Sequence, residues 1–138
     1  MTTVTEAEAT AYRASVREAP AQMARWCLDN LGQRVSAVGL GLSDASLLRR
    51  YSRGDGSPSA EREARLRLLY RVARMVAGAY DAQTAQAFLR GSNPLLGDVA
   101  PLALIADAPA EQAAPQVIAA ARALQEERGD HKVSNCAG

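Results

Sequence analysis

The side chains that most often carry catalysis are few in this 138-residue chain, and they lie far apart. The single histidine, His131, falls in a polar C-terminal segment, so a nucleophile paired with a positioned imidazole is not expected. Cys27 and Cys136 form no CxxC pair and belong to no cluster of further ligands, which argues against a metal site. Asp55 and Glu61 could act as paired carboxylates, but their loop surroundings favour solvated side chains. The sequence therefore predicts no enzymatic activity and no cofactor.

Arginine supplies almost all of the positive charge, with 15 arginines and one lysine in a chain of net charge +1. Eight of the arginines and three acids lie in residues 49–74, so that stretch carries a charge of +5. Residues 91–138 hold three bases and six acids, a charge of −3. Two explanations remain open: two faces for two kinds of partner, or ordinary solvated helix faces.

The segment QRVSAVGLGLSDASLLRRYSRG (33–54) has the order of a helix–turn–helix motif, with glycines in the turn. Ser43 is the expected cap of the second helix, and Leu47 or Leu48 would bury one side of it together with Tyr51. In such a motif the second helix enters the major groove of DNA, where arginine pairs with guanine or clamps phosphate. The alternative is a plain helical hairpin. The candidate DNA-binding residues are Asp44, Ser46, Arg49, Arg50 and Arg53.

Hydrophobic periodicity predicts helices almost throughout the chain, which is rich in alanine and only 4% aromatic. The longest predicted helix runs from Ala60 to about Tyr80, with arginines 67, 71 and 74 on its outer side. Val35 and Val38 are expected to face inward from the helix before the turn. Shorter helices are predicted over 20–32, from 33 to the turn made by Gly39 and Gly41, over 44–53, 82–90 and 101–107, and from 110 to about 128. The expected fold class is therefore all-α.

The stretch FLRGSNPLLGDVAPLALI (88–105) interrupts this helical pattern with two glycines, two prolines and an asparagine. Together with Tyr80-Asp81, it resembles the C-terminal toxin-binding domain of the Xre/MbcA/ParS-type antitoxins. The family usually has tryptophan where Phe88 stands. An Xre-like helix–turn–helix joined by one long helix to this domain is also the family's order, so the resemblance covers roughly residues 26–128. The matching motif residues are Phe88-Leu89, Asn93-Pro94, Leu96-Gly97 and Pro101-Leu102, with Ile105.

The resemblance implies an N-terminal helix–turn–helix bundle that a long helix joins to a small C-terminal helical domain. We accordingly expect an N-terminal extension (1–19), a helix–turn–helix region (20–59), a connecting helix (60–80), a toxin-binding domain (81–128) and a disordered tail (129–138). It also implies an antitoxin of a type II toxin–antitoxin system, the partner of a RES-domain toxin that consumes NAD. Operator DNA would be a second partner, and a homodimer or a heterotetramer with the toxin is the expected assembly. A helix–turn–helix regulator without a toxin partner is the alternative.

The residues that the resemblance implies for toxin binding lie around the interruption and near the end of the last helix. Some of them have a competing structural explanation. Phe88, Leu89 and Leu102 could be core residues, and Glu126 and Glu127, the acidic pair, could form a solvated helix end. The acidic pair would otherwise meet toxin arginines that hold NAD phosphates. The candidates are Phe88, Leu89, Arg90, Asn93, Pro94, Leu95, Leu96, Pro101, Leu102, Glu126 and Glu127.

The N-terminus and the hydropathy pattern bear on localisation. The first 20 residues lack a basic start followed by an apolar run, so no signal peptide is expected. No apolar stretch approaches the roughly 20 residues that a spanning helix needs. We therefore expect a cytoplasmic protein without a membrane partner.

Overall fold

A computed structural model describes the backbone of residues 8–9 and 19–137, and within these ranges the side chains up to Arg128. The all-α fold class is confirmed: the described chain has no β-strand, only an isolated antiparallel bridge between Asn93 and Val99. The α-helices of the described chain are α1 (Pro20–Leu31), α2 (Gln33–Gly39), α3 (Ser46–Ser52), α4 (Ala60–Ala79), α5 (Ala82–Arg90), α6 (Pro101–Asp107) and α7 (Ala110–Ala137). A 3-10 helix, Pro94–Leu96, lies between α5 and α6.

Capping residues explain where several of these helices begin and end. The side chain of Ser59 accepts a hydrogen bond from the backbone N–H of Arg62 at 3.2 Å, which starts α4. Asp81 does the same for α5, accepting from the backbone N–H of Thr84 at 2.7 Å. Gly32 ends α1 with a φ of +87°, a conformation that side chains rarely adopt. These residues therefore fix one end of each of the three helices.

Helix α4 lies at the centre of the protein and packs against α1, α2, α5, α6 and α7. The periodic apolar residues of α4 form its inner face: Leu66, Leu69, Ala73 and Val76 are fully buried, and Tyr80, directly after the helix, is half-buried. Residues on its other sides are buried as well, among them Leu68, Tyr70, Val72 and Met75. One continuous hydrophobic core extends from α1 to α7. The predicted helix–turn–helix region and the predicted toxin-binding region therefore share a core.

The second helix of the predicted helix–turn–helix begins later than expected. Ser43 does not cap it; instead a carboxylate oxygen of Asp44 accepts a hydrogen bond from the backbone N–H of Ser46 at 2.9 Å. This local turn competes with helix formation and keeps residues 43–45 outside α3. In α2, Val35 is buried as predicted, but Val38 is 43% exposed, so its predicted inward orientation is wrong. The reason is that α2 packs on α1, α4 and α6 with the side that carries Val35 and Gly39.

The ends of the chain differ from the sequence-based expectation or lie outside the described residues. Helix α7 was expected to end at about Arg128, with a disordered tail over 129–138, yet its backbone stays helical to Ala137. That segment contains no proline, so its backbone can continue the helical hydrogen bonds. Of the predicted N-terminal extension, residues 1–7 and 10–18 lie outside the described residues, and Glu8 and Ala9 are helical. Among the described helices, none combines the length and apolar character needed to cross a bilayer.

Candidate DNA and partner interfaces

The residues predicted to bind DNA lie together on the exposed side of α3 and at its two ends. Leu48 and Tyr51, at 0% and 4% exposure, form the buried side of this helix, as predicted. Arg25 of α1 donates a hydrogen bond from Nη2 to the backbone oxygen of Ser52 at 2.7 Å, which fastens the end of α3 to α1. All five predicted residues are exposed: Asp44, Ser46, Arg49, Arg50 and Arg53.

Contacts within this group divide its members by role. The carboxylate of Asp44 accepts hydrogen bonds from the hydroxyl and the backbone N–H of Ser46, and these bonds lower the pKa of Asp44 below its usual value. Asp44 and Ser46 therefore shape the start of α3. Arg49 donates from Nη1 to Oε1 of Gln33 at 2.8 Å, and Nε of Arg53 lies 3.6 Å from Oδ2 of Asp55. Arg49 and Arg50 on α3, and Arg53 directly after it, are the exposed cations of this surface.

The connection between α2 and α3 departs from the usual helix–turn–helix geometry. Six residues, 40–45, join the two helices, whereas the motif commonly uses a turn of about three or four. Helix α3 has only seven residues, and it packs mainly on α1. A shallow groove of about 400 Å³ lies between α2 and this connection, with Gln33, Arg34, Val38 and Asp44 among its lining residues. The groove is open to solvent, and both polar and apolar side chains line it.

The remaining arginines of the basic stretch do not extend this surface as one face. Arg65 of α4 pairs with Glu61, and Arg67 pairs with Glu63. In each pair Nη2 lies 3.0 Å from a carboxylate oxygen. The guanidinium of Arg74 lies over the rings of Trp26 and Tyr70, at 5.6 and 5.5 Å from their centroids. Arg65, Arg67 and Arg74 are half-buried on α4. The expected outward row of arginines on this helix is therefore not observed.

The interruption in the helical pattern forms a compact turn over residues 93–99, anchored by Asn93. Its side-chain oxygen accepts a hydrogen bond from the backbone N–H of Leu95 at 2.9 Å. Its backbone oxygen accepts from the N–H groups of Leu96 and Asp98, both at 2.9 Å, and its own N–H donates to the oxygen of Val99 at 3.2 Å. One residue thus makes four hydrogen bonds within the turn, which gives the turn a defined shape.

The second half of the 93–99 turn has the arrangement of a type I′ turn. Gly97 and Asp98 have φ values of +65° and +66°, and the N–H of Val99 donates to the oxygen of Leu96 at 3.3 Å. Among the described residues, Asp98 alone combines a side chain with a positive φ. This backbone conformation directs residues 95 and 99 away from the core.

The 93–99 turn carries an exposed apolar surface. Leu95 is 64% exposed and Val99 is 42% exposed, whereas Leu96 between them is buried. Within the described part of the chain, Val38 is the other large apolar residue with such exposure. Leu95 and Val99 flank Asp98, and we call these three residues the turn patch.

The other predicted toxin-binding residues divide between the core and the surface. Leu89, Leu96, Pro101 and Leu102 are buried, because the inner faces of α5, α6 and the 3-10 helix pack against neighbouring helices. These four are core residues here and are not accessible to a partner. Phe88 and Asn93 are half-buried. The exposed members of the predicted set are Arg90, Pro94, Leu95, Glu126 and Glu127.

The acidic pair lies in the C-terminal half of α7, well before the end of this helix, beside a contact between α7 and the end of α4. The hydroxyl of Tyr80 donates to the backbone oxygen of Leu124 at 3.0 Å, and the Arg128 guanidinium lies 5.0 Å from the Tyr80 ring centroid. Burial raises the pKa of the Tyr80 phenol, and the charge of Glu127 raises it further. Glu126 and Glu127 are exposed, so they form an accessible negative charge beside this contact.

Some contacts have no evident sequence pattern. Asp98 and Val99 of the turn patch were not among the predicted residues, although Gly-Asp is a pair typical of tight hairpin turns. The partnership of Glu8 with Arg122, at 3.1 Å from Nε to Oε1, joins residues 114 positions apart. No local pattern can indicate such a pair.

The described residues contain no group of three or more His, Cys, Asp or Glu side chains that could hold a metal ion. Burial raises the pKa of the Cys27 thiol well above its usual value, so this thiol is not poised as a nucleophile. No family model, no curated protein and no solved structure matches the chain. Function is therefore inferred from the chain's own residues and from the resemblance of its motifs.

Proposed function

We propose that the protein is a cytoplasmic antitoxin, an interaction protein and not an enzyme, that binds and inhibits a RES-domain toxin which consumes NAD. A second role, binding of operator DNA through α3, accompanies it. The observation that carries the first role is the rigid 93–99 turn, which presents Leu95 and Val99 to solvent. That turn lies inside the stretch whose motif order resembles the toxin-binding domain of Xre/MbcA/ParS-type antitoxins.

The turn patch is suited to a protein partner on energetic grounds. Fully burying a leucine or valine side chain contributes about 1.5–3 kcal/mol. The hydrogen bonds of Asn93 already hold the turn in shape, so little conformational entropy is lost when a partner covers it. An exposed apolar pair on a rigid support is therefore a reasonable energetic centre for an interface.

The acidic pair on α7 supports the same proposal. Glu126 and Glu127 are exposed, and charge-assisted hydrogen bonds from guanidinium groups are among the stronger polar contacts. A toxin that binds NAD must hold two phosphates, for which arginine is well suited. The acidic pair would compete with those phosphates for the same arginines.

The exposed arginines on α3 support DNA binding. Arg49 and Arg50 are exposed on α3, whose other side is buried, and Arg53 is exposed directly after this helix. Each phosphate contact contributes a slope of about −0.9 in a plot of log affinity against log salt. A regulator that binds DNA without a toxin partner is the second candidate function, favoured by this same surface.

Co-purification tests the proposal. The chain is expressed with the product of the adjacent gene, only one of the two is tagged, and the pair is followed through size exclusion and an NAD-consumption assay. We expect a stable complex in which NAD consumption is suppressed. Absence of a complex, with sequence-specific DNA binding retained, would leave a regulator only.

A matched variant separates the two roles. Replacing Arg49 and Arg50 by alanine should weaken operator binding, while the complex with the toxin and the suppression of NAD consumption stay as in the wild type. Replacing Arg122, an exposed arginine of α7, is the control for a general loss of positive charge. Equal loss of both activities in the Arg49/Arg50 variant would argue against separate surfaces.

A further inference from the structure

Arg25 of α1 was not among the predicted DNA-binding residues, yet its guanidinium lies at the end of α3. Its Nη2 donates a hydrogen bond to the backbone oxygen of Ser52, the last residue of α3, at 2.7 Å. Arg53, one of the predicted residues, directly follows Ser52. Two exposed arginines from different parts of the chain therefore lie at the same end of α3.

The position of the Arg25 guanidinium is defined because both helices that determine it rest on the core. Met23 and Cys27 of α1 are fully buried, Leu48 and Tyr51 form the buried side of α3, and the two helices pack against each other. The hydrogen bond to α3 uses only part of the donor capacity of a guanidinium. Because Arg25 is exposed, its remaining N–H groups can meet an anion from solvent.

The charge at this end of α3 decides whether a phosphate can approach it. The last backbone oxygens of a helix carry a partial negative charge, which repels phosphate. Arg25 donates to one of these oxygens and brings a full positive charge to the same place. Arg53 brings a second, and its pairing with Asp55, at 3.6 Å between two exposed side chains, is weakened by solvent. Arg25 thus leaves the end of α3 positive even when Asp55 is counted.

We infer that Arg25 binds a phosphate of the DNA backbone, so that the DNA interface includes α1 as well as α3. This inference rests on the DNA-binding role proposed above. Phosphate contacts fix the orientation of a protein on the duplex and carry no sequence information directly. A contact from α1 at the end of α3 holds this seven-residue helix in one orientation on the DNA.

Two substitutions at Arg25 separate a phosphate contact from a purely structural role. Arg25→Gln and Arg25→Lys both remove the guanidinium that is bonded to Ser52, but only Arg25→Gln removes the positive charge. Arg122→Gln is the control for loss of charge elsewhere, since α7 packs on α4, α6 and the 3-10 helix. The probes are the DNA directly upstream of the gene and a duplex of unrelated sequence. Affinity for each is measured at several salt concentrations, together with the melting temperature of each free protein.

We expect Arg25→Gln to reduce the slope of log affinity against log salt by about 0.9, the contribution of one phosphate contact. It should weaken binding to the two duplexes by the same factor, because a phosphate contact is independent of sequence. Arg25→Lys should keep the wild-type slope. Arg122→Gln should bind both duplexes as the wild type does.

The failure of this inference and the failure of the DNA-binding role are distinguishable. If the wild type binds DNA and Arg25→Gln keeps the wild-type slope, Arg25 only holds α3, and the inference is wrong while the DNA-binding role stands. If Arg25→Lys loses as much of the slope as Arg25→Gln, the effect comes from a displaced α3, and the inference is again wrong. If the wild type binds neither duplex, the DNA-binding role is wrong, and the phosphate contact is refuted with it.

Discussion

Replacing Gly39 by alanine tests whether the region of Arg49 and Arg50 and the region of the turn patch share one rigid core. Gly39 is the last residue of α2, where that helix approaches both α4 and α6. A methyl group built there would lie 3.0 Å from Cδ2 of Leu69 and 3.1 Å from Cδ1 of Leu102. Leu69 is fully buried and Leu102 is 6% exposed, so neither side chain can move aside freely.

The expected change follows from two opposing effects. Alanine favours the helix over glycine by about 0.5–1 kcal/mol. Overpacking a well-filled core costs typically about 1–3 kcal/mol. Because the methyl group meets two buried leucines at once, we expect the second effect to win and Gly39→Ala to lower the free energy of unfolding by about 1–2 kcal/mol. In a chain of this size, each 1 kcal/mol corresponds to about 4 °C in melting temperature.

Urea and thermal melts measure the effect, and a double-mutant cycle assigns its cause. In a Leu69→Ala background only the contact with Leu102 remains, and the vacated space lets the two groups move apart, so Gly39→Ala should cost clearly less there. Stabilisation by Gly39→Ala in the otherwise wild-type chain would refute the reasoning. It would mean that α2 can shift relative to α4 and α6, and that the two regions are not rigidly joined.

Two further predictions concern contacts that lie far apart in the chain. The hydrogen bond from Arg122 lowers the pKa of Glu8 below its usual 4.5, so the stabilisation from this pair is present above that pH and is lost as pH falls through the lowered pKa. The difference in unfolding free energy between the wild type and Glu8→Gln should therefore vanish on acidification, and a difference independent of pH would contradict the pairing. Gln125 is fully buried, with its Nε2 donating to the oxygen of Met75 at 3.1 Å and its Oε1 unpartnered. Gln125→Met should raise the free energy of unfolding by about 1 kcal/mol, because an unsatisfied buried acceptor disappears. A clear decrease of this free energy in urea melts would contradict the view that the oxygen is unsatisfied.

Local sequence features were sufficient to predict the helices but not all of their starts. Asp81 and Pro101 have side chains or rings that act within one turn of the helix, so their effect is visible in the sequence. The start of α3 was misplaced because Ser43 and Asp44 are both good turn formers, and only the structure shows that Asp44 bonds to Ser46. Propensity cannot rank two adjacent residues that compete for one role.

The apolar face of α4 was predicted from its periodicity, but the burial of its other sides was not. Leu66 and Leu69 follow the simple periodic pattern, whereas Arg67 and Arg74 were expected outside and are half-buried. A helical wheel shows one apolar stripe, but α4 has neighbours on several sides, and arginine can stack on aromatic rings when it is covered. The number of neighbours is a tertiary property that a single helix sequence does not contain.

The candidate partner surface was predicted in part. Leu95 is exposed in the 93–99 turn, which agrees with its place among the candidate toxin-binding residues. Asp98 was missed because a positive φ at a residue other than glycine is set by the surrounding turn, here by the hydrogen bonds of Asn93. Sequence patterns thus located the turn, and the structure identified which of its side chains face outward.

The most direct test of the antitoxin proposal is the affinity of the toxin for a variant of the turn patch. Replacing Leu95 and Val99 together by aspartate places charge at the proposed contact without disturbing the core, because both side chains are exposed. Val38→Asp is the control, since Val38 is 43% exposed, about as much as Val99. We expect the paired variant to fold with an unchanged melting temperature, to lose the toxin in size exclusion and to leave NAD consumption uninhibited, while Val38→Asp behaves as the wild type. A paired variant that still binds and inhibits the toxin would contradict the proposal that this turn is the toxin-binding surface.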